Sequence, residues 1–323
     1  MESGDLVEAL PDLVRRRWGL QGPVAVAAIR GGMNSATAEV RVQEGRYVAK
    51  WVTDQNRQGL EAGARTARRM AGGGLLAGEP LLTSDGSTTT QFDGGAIALL
   101  SWVPGTPLLG VSSEDQVRMA TTLAHAHLIG GSNVQRGRFF VWVVPEAPGT
   151  SVEPWVRSAV AAARAELDSL PELTWGVLHT DPAPEAFLLN DETGQVGLID
   201  WTGATRGPLL YDIASAVMYL GGDESARAFL RTYIELGPVH VGEMAEHLGA
   251  LRRFRAAVQA VYFAGRIASR DLTGIAEDGE NWKGLHDARK MFSSLGMNIR
   301  DEAEARPAAQ RGHAPTGRAK PGP

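Results

Sequence analysis

The stretch "HTDPAPEAFLLNDETGQVGLIDW", residues 179–201, sets one aspartate two positions after a histidine and a second directly before a tryptophan. Between them, "AFLL-NDETG-QVGLID" reads as two short apolar strands joined by turn residues, so a hairpin separates Asp181 from Asp200. Pro182 and Pro184 stiffen the loop that follows the first aspartate.

On either side of this stretch the periodicity differs. Upstream, Leu6, Leu10, Leu13 and Val14 fall at helical spacing and predict an amphipathic helix over Asp5 to Trp18. The run "PVAVAAIRGGMNSATAEVRVQEGRYVAKWV" reads as strand, glycine turn, strand, Glu44-Gly45 turn, strand. A helix over Asn56 to Met70 follows, ended by glycines and a proline, and "EPLLTS" and "GGAIALLSWV" are the fourth and fifth strand candidates. After "VPGTPL" the pattern turns helical. Ser112 and Asp115 form a capping box for a helix whose stripe is Val117, Ala120, Ala124 and Leu128. Further helices are expected over Pro154 to Leu170, Leu210 to Leu220, Glu224 to Leu236, Glu243 to Ala268 and Trp282 to Leu295. The expectation is an α+β chain with a β-rich N-terminal lobe over residues 1–102 after a leading helix, an α-helical lobe over 103–300, and a tail over 301–323 whose composition reads as disordered.

Composition narrows the function. The 323 residues are 43% apolar, enough for a large core, and the formal charge of -5 gives no reason to expect nucleic acid. Without cysteine, neither disulfides nor thiolate metal sites are available. The segment "MESGDLVEALPDLVRRRWGL" carries acid where a signal peptide needs base, and nothing approaches a membrane span, so a cytoplasmic protein without membrane partners is expected. The seven histidines include no HExxH pair, and neither a GxSxG elbow nor a GxxxxGK[ST] phosphate loop occurs.

Only four of the 32 basic residues are lysines, and through residue 282 Lys50 stands alone, at the end of "RYVAK". It reads either as a solvated strand end or as a point-charge phosphate ligand, a task in which arginine does not replace lysine. A small β-lobe with a glycine turn and one lysine, followed by an α-rich lobe with a carboxylate hairpin, is the layout of a kinase-like phosphotransferase.

The segments "VLHTDPAPEAFLL" and "GLIDWTGATRGPLLYDIASAV" resemble the aminoglycoside phosphotransferase family, which includes choline-kinase-like and homoserine-kinase-like enzymes. His179 and Asp181 match the start of its HxDxxxxN brace, Ile199-Asp200-Trp201 its metal motif, and Gly207 with Asp212-Ile213-Ala214 its last motif. The resemblance implies a protein-kinase-like two-lobe fold, with ATP or GTP as co-substrate, Mg2+ as cofactor and a small-molecule hydroxyl as acceptor. It implies that Asp181 is the catalytic base, Asp200 the magnesium ligand, His179 a brace of the catalytic loop, and Asp212 the holder of that loop's backbone amides. Lys50 would hold the phosphates with Glu61 as its ion-pair partner. "RGGMNSATAEV" resembles the nucleotide-covering turn, with Gly31 and Gly32 for close approach and Asn34 or Ser35 as donors to an oxygen. "ALLSWVPGTPL" resembles the hinge, placing Leu100 and Trp102 near the adenine, and "LAHAH" resembles a helix whose second histidine, His127, packs internally.

One departure stands out. Where the family has its second metal-ligating asparagine, seven residues after His179, this chain has Ala186, preceded by Glu185. Three readings follow: an active kinase with one magnesium at Asp200 and Glu185 or water replacing the amide; a weakened, nucleotide-binding sensor; or a relative that has dropped nucleotide. Residues 223–300 carry ten acidic and eleven basic side chains, so no acidic surface for a polycationic antibiotic is expected. The expected acceptor is a hydroxyl on a less cationic natural product, antibiotic or metabolite.

Overall fold

A computed structural model describes residues 3–29, 34–132, 139–275 and 277–297. Gly31, Gly32 and the 301–323 tail lie outside the described residues.

The chain opens with α1 (Ser3–Trp18), then β1 (Ala25–Ile29), β2 (Ala36–Val42), β3 (Gly45–Thr53), α2 (Arg57–Gly72), β4 (Thr90–Phe92) and β5 (Gly95–Ser101). The five strands form one antiparallel sheet in the order β1-β2-β3-β5-β4. Leu6, Leu10, Leu13 and Val14 are buried as their spacing predicts, packed on Ala38, Val40, Ala49, Trp51, Ile97 and Leu99. Successive strand residues point to opposite faces, so Ala49 and Trp51 facing α1 force Lys50 onto the other face. There Val52, Ala96 and Ala98 pack with Leu60 of α2, and Lys50 sits in register between Thr37 and Ala98.

The expected fourth strand, "EPLLTS", does not form. Pro80 makes a single bridge to Leu100, flanked by bonds from Leu81 N to Leu99 O and Ser101 N to Glu79 O, both 2.8 Å. A proline has no N–H to continue a ladder, and the sheet edge is taken by β4 instead.

The rest of the chain is mainly helical: β6 (Thr106–Pro107), α3 (Ser113–Gly130), α4 (Pro154–Ser169), β7 (Trp175–Leu178), β8 (Phe187–Leu189), β9 (Val196–Leu198), β10 (Thr205–Pro208), α5 (Leu210–Tyr219), α6 (Arg227–Leu236), α7 (Val241–Ser269) and α8 (Gly279–Ser294). The long α7 packs against α4, α5 and α8. The predicted hairpin is β8–β9, with Phe187 opposite Leu198. Asn190 Oδ1 closes its turn by accepting from Glu192 N (3.0 Å) and Thr193 N (3.3 Å), and Gly194 supplies the positive φ of 71°.

On α3 the buried face differs from the expected one. Ala120 and Ala124 are buried, but Val117 is 42% and Leu128 55% exposed, and Met119, Leu123, Ala126 and His127 are inside. The helix touches α2, α6, β7 and β9, so its buried arc is wider than an apolar stripe and includes polar residues with partners. Ser112 caps it, accepting from Asp115 N at 3.0 Å. The reciprocal half of the box is missing, because Asp115 Oδ2 accepts from Leu109 N and Gly110 N instead. Among the described residues no helix is long and apolar enough to cross a membrane.

Candidate active site

The loop that follows β7 is held from below. Asp212, in the first turn of α5 and fully buried, accepts from His179 N at 2.7 Å and Thr180 N at 2.8 Å. His127 Nε2 lies 3.0 Å from the same carboxylate, and its Nδ1 lies 2.5 Å from the Tyr233 hydroxyl, so the second histidine of "LAHAH" is internal. Thr180 has φ +78°, a conformation a β-branched residue rarely takes, and is tied down by its Oγ1 bond to Gly203 O at 3.2 Å. The next residue, Asp181, leaves the loop with 62% of its side chain exposed.

Asp200 follows β9 in a left-handed conformation (φ 66°, ψ 59°), which aspartate tolerates better than most residues. His179 Nε2 bonds to Ile199 O at 2.8 Å, linking the two aspartate-bearing loops, and its ring stacks edge-on to Trp201. His179 Nδ1 is buried, with no hydrogen-bond partner among the described residues. Helix α2 presses its backbone onto this segment: a Cβ on Gly63 would stand 2.4 Å from Trp201 O.

Lys50, 8% exposed, reaches Asp200 Oδ1 at 2.5 Å. Partial desolvation pushes the Asp200 carboxyl up, although 54% of the side chain is exposed, but the charge and hydrogen bond of Lys50 outweigh it and hold it below the usual carboxylate range. This corrects the expected pairing of Lys50 with Glu61, which instead lies 3.8 Å from Arg57, one turn before it on α2. A local i,i+4 partner takes the glutamate, while the lysine meets the carboxylate its strand face points at.

The other sequence-derived residues are more scattered. Asn34 Oδ1 accepts from Tyr262 (3.1 Å) and Arg266 (3.3 Å) of α7, so its carbonyl is turned to the helices. Ser35 is half-buried just before β2, and Leu100 lies in β5 opposite Val48. The backbone N–H of Trp102 donates to Arg46 O at 3.1 Å, and its indole lies beneath the Arg46 guanidinium, 3.3 Å from the ring centroid. Ala186 is buried, and its carbonyl accepts from Ile199 N at 2.9 Å, directly beside Asp200; Glu185 is exposed.

Two neighbours of Asp181 escaped the sequence reading. Tyr219 donates to Asp181 Oδ1 at 2.5 Å, and Arg255 Nη2 lies 3.4 Å from the same oxygen. Burial of its hydroxyl, with the Asp181 carboxylate beside it, pushes Tyr219 well above the ordinary phenol range and keeps it a donor, although 37% of the residue is exposed. A signal existed for Arg255, which sits between Leu251 and Val258 at the spacing of a buried helix face.

Lys50 and Asp200 are 150 residues apart, and a β-sheet folded onto a helical half so that these two meet is a kinase-like phosphotransferase fold. A family model described as "Phosphotransferase enzyme family" matches residues 25–247, and the chain belongs to that family. Among curated proteins, the chain is 26% identical over 198 residues to a homoserine kinase of Xanthobacter autotrophicus, covering 58% of this chain and 61% of that one. It is 27% identical over 216 residues to a homoserine kinase of Brucella anthropi, covering 61% and 65%. The chain thus matches less than two thirds of these relatives' lengths. Among solved structures it resembles an amicoumacin kinase bound to AMP-PNP and calcium (TM-score 0.69, 13% identity, 92% and 96% covered). It also resembles a microcompartment-associated aminopropanol kinase (0.68, 15%, 91% and 100%) and the choline kinase LicA of Streptococcus pneumoniae (0.64, 16%, 90% and 99%). At these identities the likeness shows the fold.

Proposed function

We propose that the protein is a kinase that moves the γ-phosphoryl group of ATP or GTP to a hydroxyl of a small molecule, with residues 1–102 as the nucleotide lobe and 103–300 as the catalytic and acceptor lobe. The observation that carries this reading is the Lys50–Asp200 contact at 2.5 Å, beside an Asp181 loop pinned by Asp212. An ammonium has three donors, and Lys50 gives one to Asp200 among the described residues, leaving two for phosphate oxygens. Asp181 takes the proton of the acceptor hydroxyl as its oxygen bonds to the γ-phosphorus and the bond to the β,γ-bridging oxygen breaks.

The metal question turns on the donors present. Among the described residues no cluster of three His, Asp or Glu side chains gathers, so there is no preformed cage. Asp200 keeps 54% of its side chain exposed, and magnesium characteristically takes one or two carboxylates together with phosphate and water. The residues therefore fit a magnesium that arrives with the nucleotide and is held by Asp200; when bound it neutralises charge on the transferring phosphoryl group. The homoserine kinases among the relatives support hydroxyl-bearing amino acids as the first acceptors to try, with amino alcohols beside them in view of the aminopropanol kinase likeness. Antibiotic hydroxyls come next, in view of the amicoumacin kinase likeness.

Ala186 favours a second reading, nucleotide binding with little transfer, because an alanine offers no ligand beside Asp200. Thermal shifts with ATP and GTP, with and without Mg2+, followed by an acceptor screen, separate the two. Ligand at about 100 times its Kd stabilises the fold by roughly 2.7 kcal/mol. Magnesium-dependent stabilisation lost in Lys50→Ala and Asp200→Ala, with turnover lost in Asp181→Asn, is the expected result. Stabilisation without turnover of any acceptor selects the second reading, and no stabilisation overturns both.

A further inference from the structure

The carboxylate of Asp181 is gripped by two side chains outside every motif of the sequence. Tyr219, the last residue of α5, donates to Oδ1 at 2.5 Å. Arg255, in the middle of α7, places Nη2 3.4 Å from that oxygen and 3.4 Å from the Tyr219 hydroxyl. Arg255 is itself anchored: Nε donates to Ser215 Oγ at 3.0 Å, and Nη1 lies 3.4 Å from Gln259 Oε1. Gln259 in turn donates to Gly284 O of α8 at 3.0 Å, so the guanidinium is fixed from two helices. At 8% exposure it is a buried charge whose one carboxylate partner among the described ion pairs is Asp181. Both donors converge on Oδ1, and among the described residues Oδ2 has no donor. Meanwhile Ala186 has no side-chain group with which to brace the loop.

We propose that Tyr219 and Arg255 are positioning residues that brace the Asp181 carboxylate, holding Oδ1 and presenting Oδ2 to the acceptor hydroxyl, a bracing task that position 186 cannot perform here. The proposal rests on the kinase reading above. The acceptor proton moves to Oδ2 as the new O–P bond forms and the old one breaks, while Oδ1 keeps both its donors throughout. A carboxylate freed to rotate leaves the reactive geometry, and a misplacement of about 1 Å is enough to lower a rate about 100-fold.

The test uses the full chain with the best acceptor from the screen. Tyr219→Phe keeps the ring and is expected to lower kcat about tenfold, and Arg255→Met about 100-fold, with the nucleotide KM within about twofold of wild type. Arg255→Lys is expected to recover part of the loss. In an Asp181→Ala background, followed by single-turnover rates, neither substitution has a further effect, because each acts through Asp181. A parallel urea-unfolding cycle of Tyr219→Phe with Asp181→Ala, read without any activity, is expected to show coupling between the two. Should Arg255→Met fail to fold, the Tyr219→Phe cycle decides. Undiminished kcat in Tyr219→Phe, or equal losses with and without Asp181, overturns the proposal and leaves the kinase reading standing. A wild-type chain that shows the stability coupling but turns over no acceptor overturns both.

Discussion

Replacing Asp212 by alanine tests the loop at its support. The carboxylate is fully buried and accepts two backbone N–H bonds, from His179 at 2.7 Å and Thr180 at 2.8 Å, with His127 Nε2 at 3.0 Å. Alanine leaves both amides buried without an acceptor, and two hydrogen bonds to a charged group at roughly 1.5–3 kcal/mol each amount to about 3–6 kcal/mol. Relief of the carboxylate's own desolvation offsets part of this, so the expected net loss is about 3–4 kcal/mol. For a domain of a few hundred residues each kcal/mol moves Tm by about 2–4 °C, which predicts a fall of roughly 10 °C. Urea unfolding followed by tryptophan fluorescence measures it, and Asp212→Asn sharpens it. An amide oxygen serves one of the two N–H groups while its NH2 faces the other, so asparagine is expected to lie close to alanine. A loss below about 1 kcal/mol, or an asparagine variant as stable as wild type, refutes the account, since it would mean that the loop is held elsewhere.

Gly63→Ala drives a methyl into the backbone at Trp201 O, 2.4 Å away, and is expected to cost about 1–3 kcal/mol and to lower nucleotide-dependent stabilisation, read by thermal shift. Leu123→Ala, fully buried on α3, is expected to lose about 2–5 kcal/mol in urea unfolding. Val117→Ala, 42% exposed on the same helix, is expected to stay within about 0.5 kcal/mol; equal effects would mean the buried face is wrongly placed. Lys50→Arg keeps the charge but not the compact ammonium between strand and Asp200, and nucleotide affinity is expected to fall at least about tenfold by titration, or about 1.4 kcal/mol.

What was legible in the sequence follows from the range over which each signal acts. Alternation in Val40, Val42 and Tyr47 to Val52 and the 3.6-residue spacing of Leu6, Leu10 and Val14 are local, and they place β2, β3 and α1 correctly. The hairpin is equally local, because its turn is closed by Asn190 and Gly194 within six residues. Apolar content alone misreads "EPLLTS", where the missing N–H of Pro80 outweighs β-propensity, and it misreads the α3 face, where four neighbours bury polar groups as well. Motif likeness placed Asp212 under the right amides, since motif spacing encodes that geometry, but it assigned Lys50 the wrong partner. Tyr219 and Arg255 approach Asp181 from 38 and 74 residues away, and only the packing of α5 on α7 brings them there.

Ala186 separates what the fold requires from what the chemistry requires. The bonds from Ile199 N to Ala186 O and from Ala186 N to Ala183 O use only main chain, so the strand-to-loop geometry beside Asp200 does not depend on a polar side chain at 186. Alanine there offers no polar group, while each of the two aspartates is paired with a cation: Asp200 with Lys50 of β3, and Asp181 with Arg255 of α7. Both cations are nearly buried while their partners keep 54% and 62% of their side chains exposed, so the charge is anchored inside and its counter-charge faces outward. A site lost to drift has no reason to hold two such pairs, because an unpaired buried cation is costly and the simplest relief is replacement by an apolar residue. The retained pairs therefore argue that both carboxylates still meet something, and Lys50 on the sheet argues that one of those things carries phosphate.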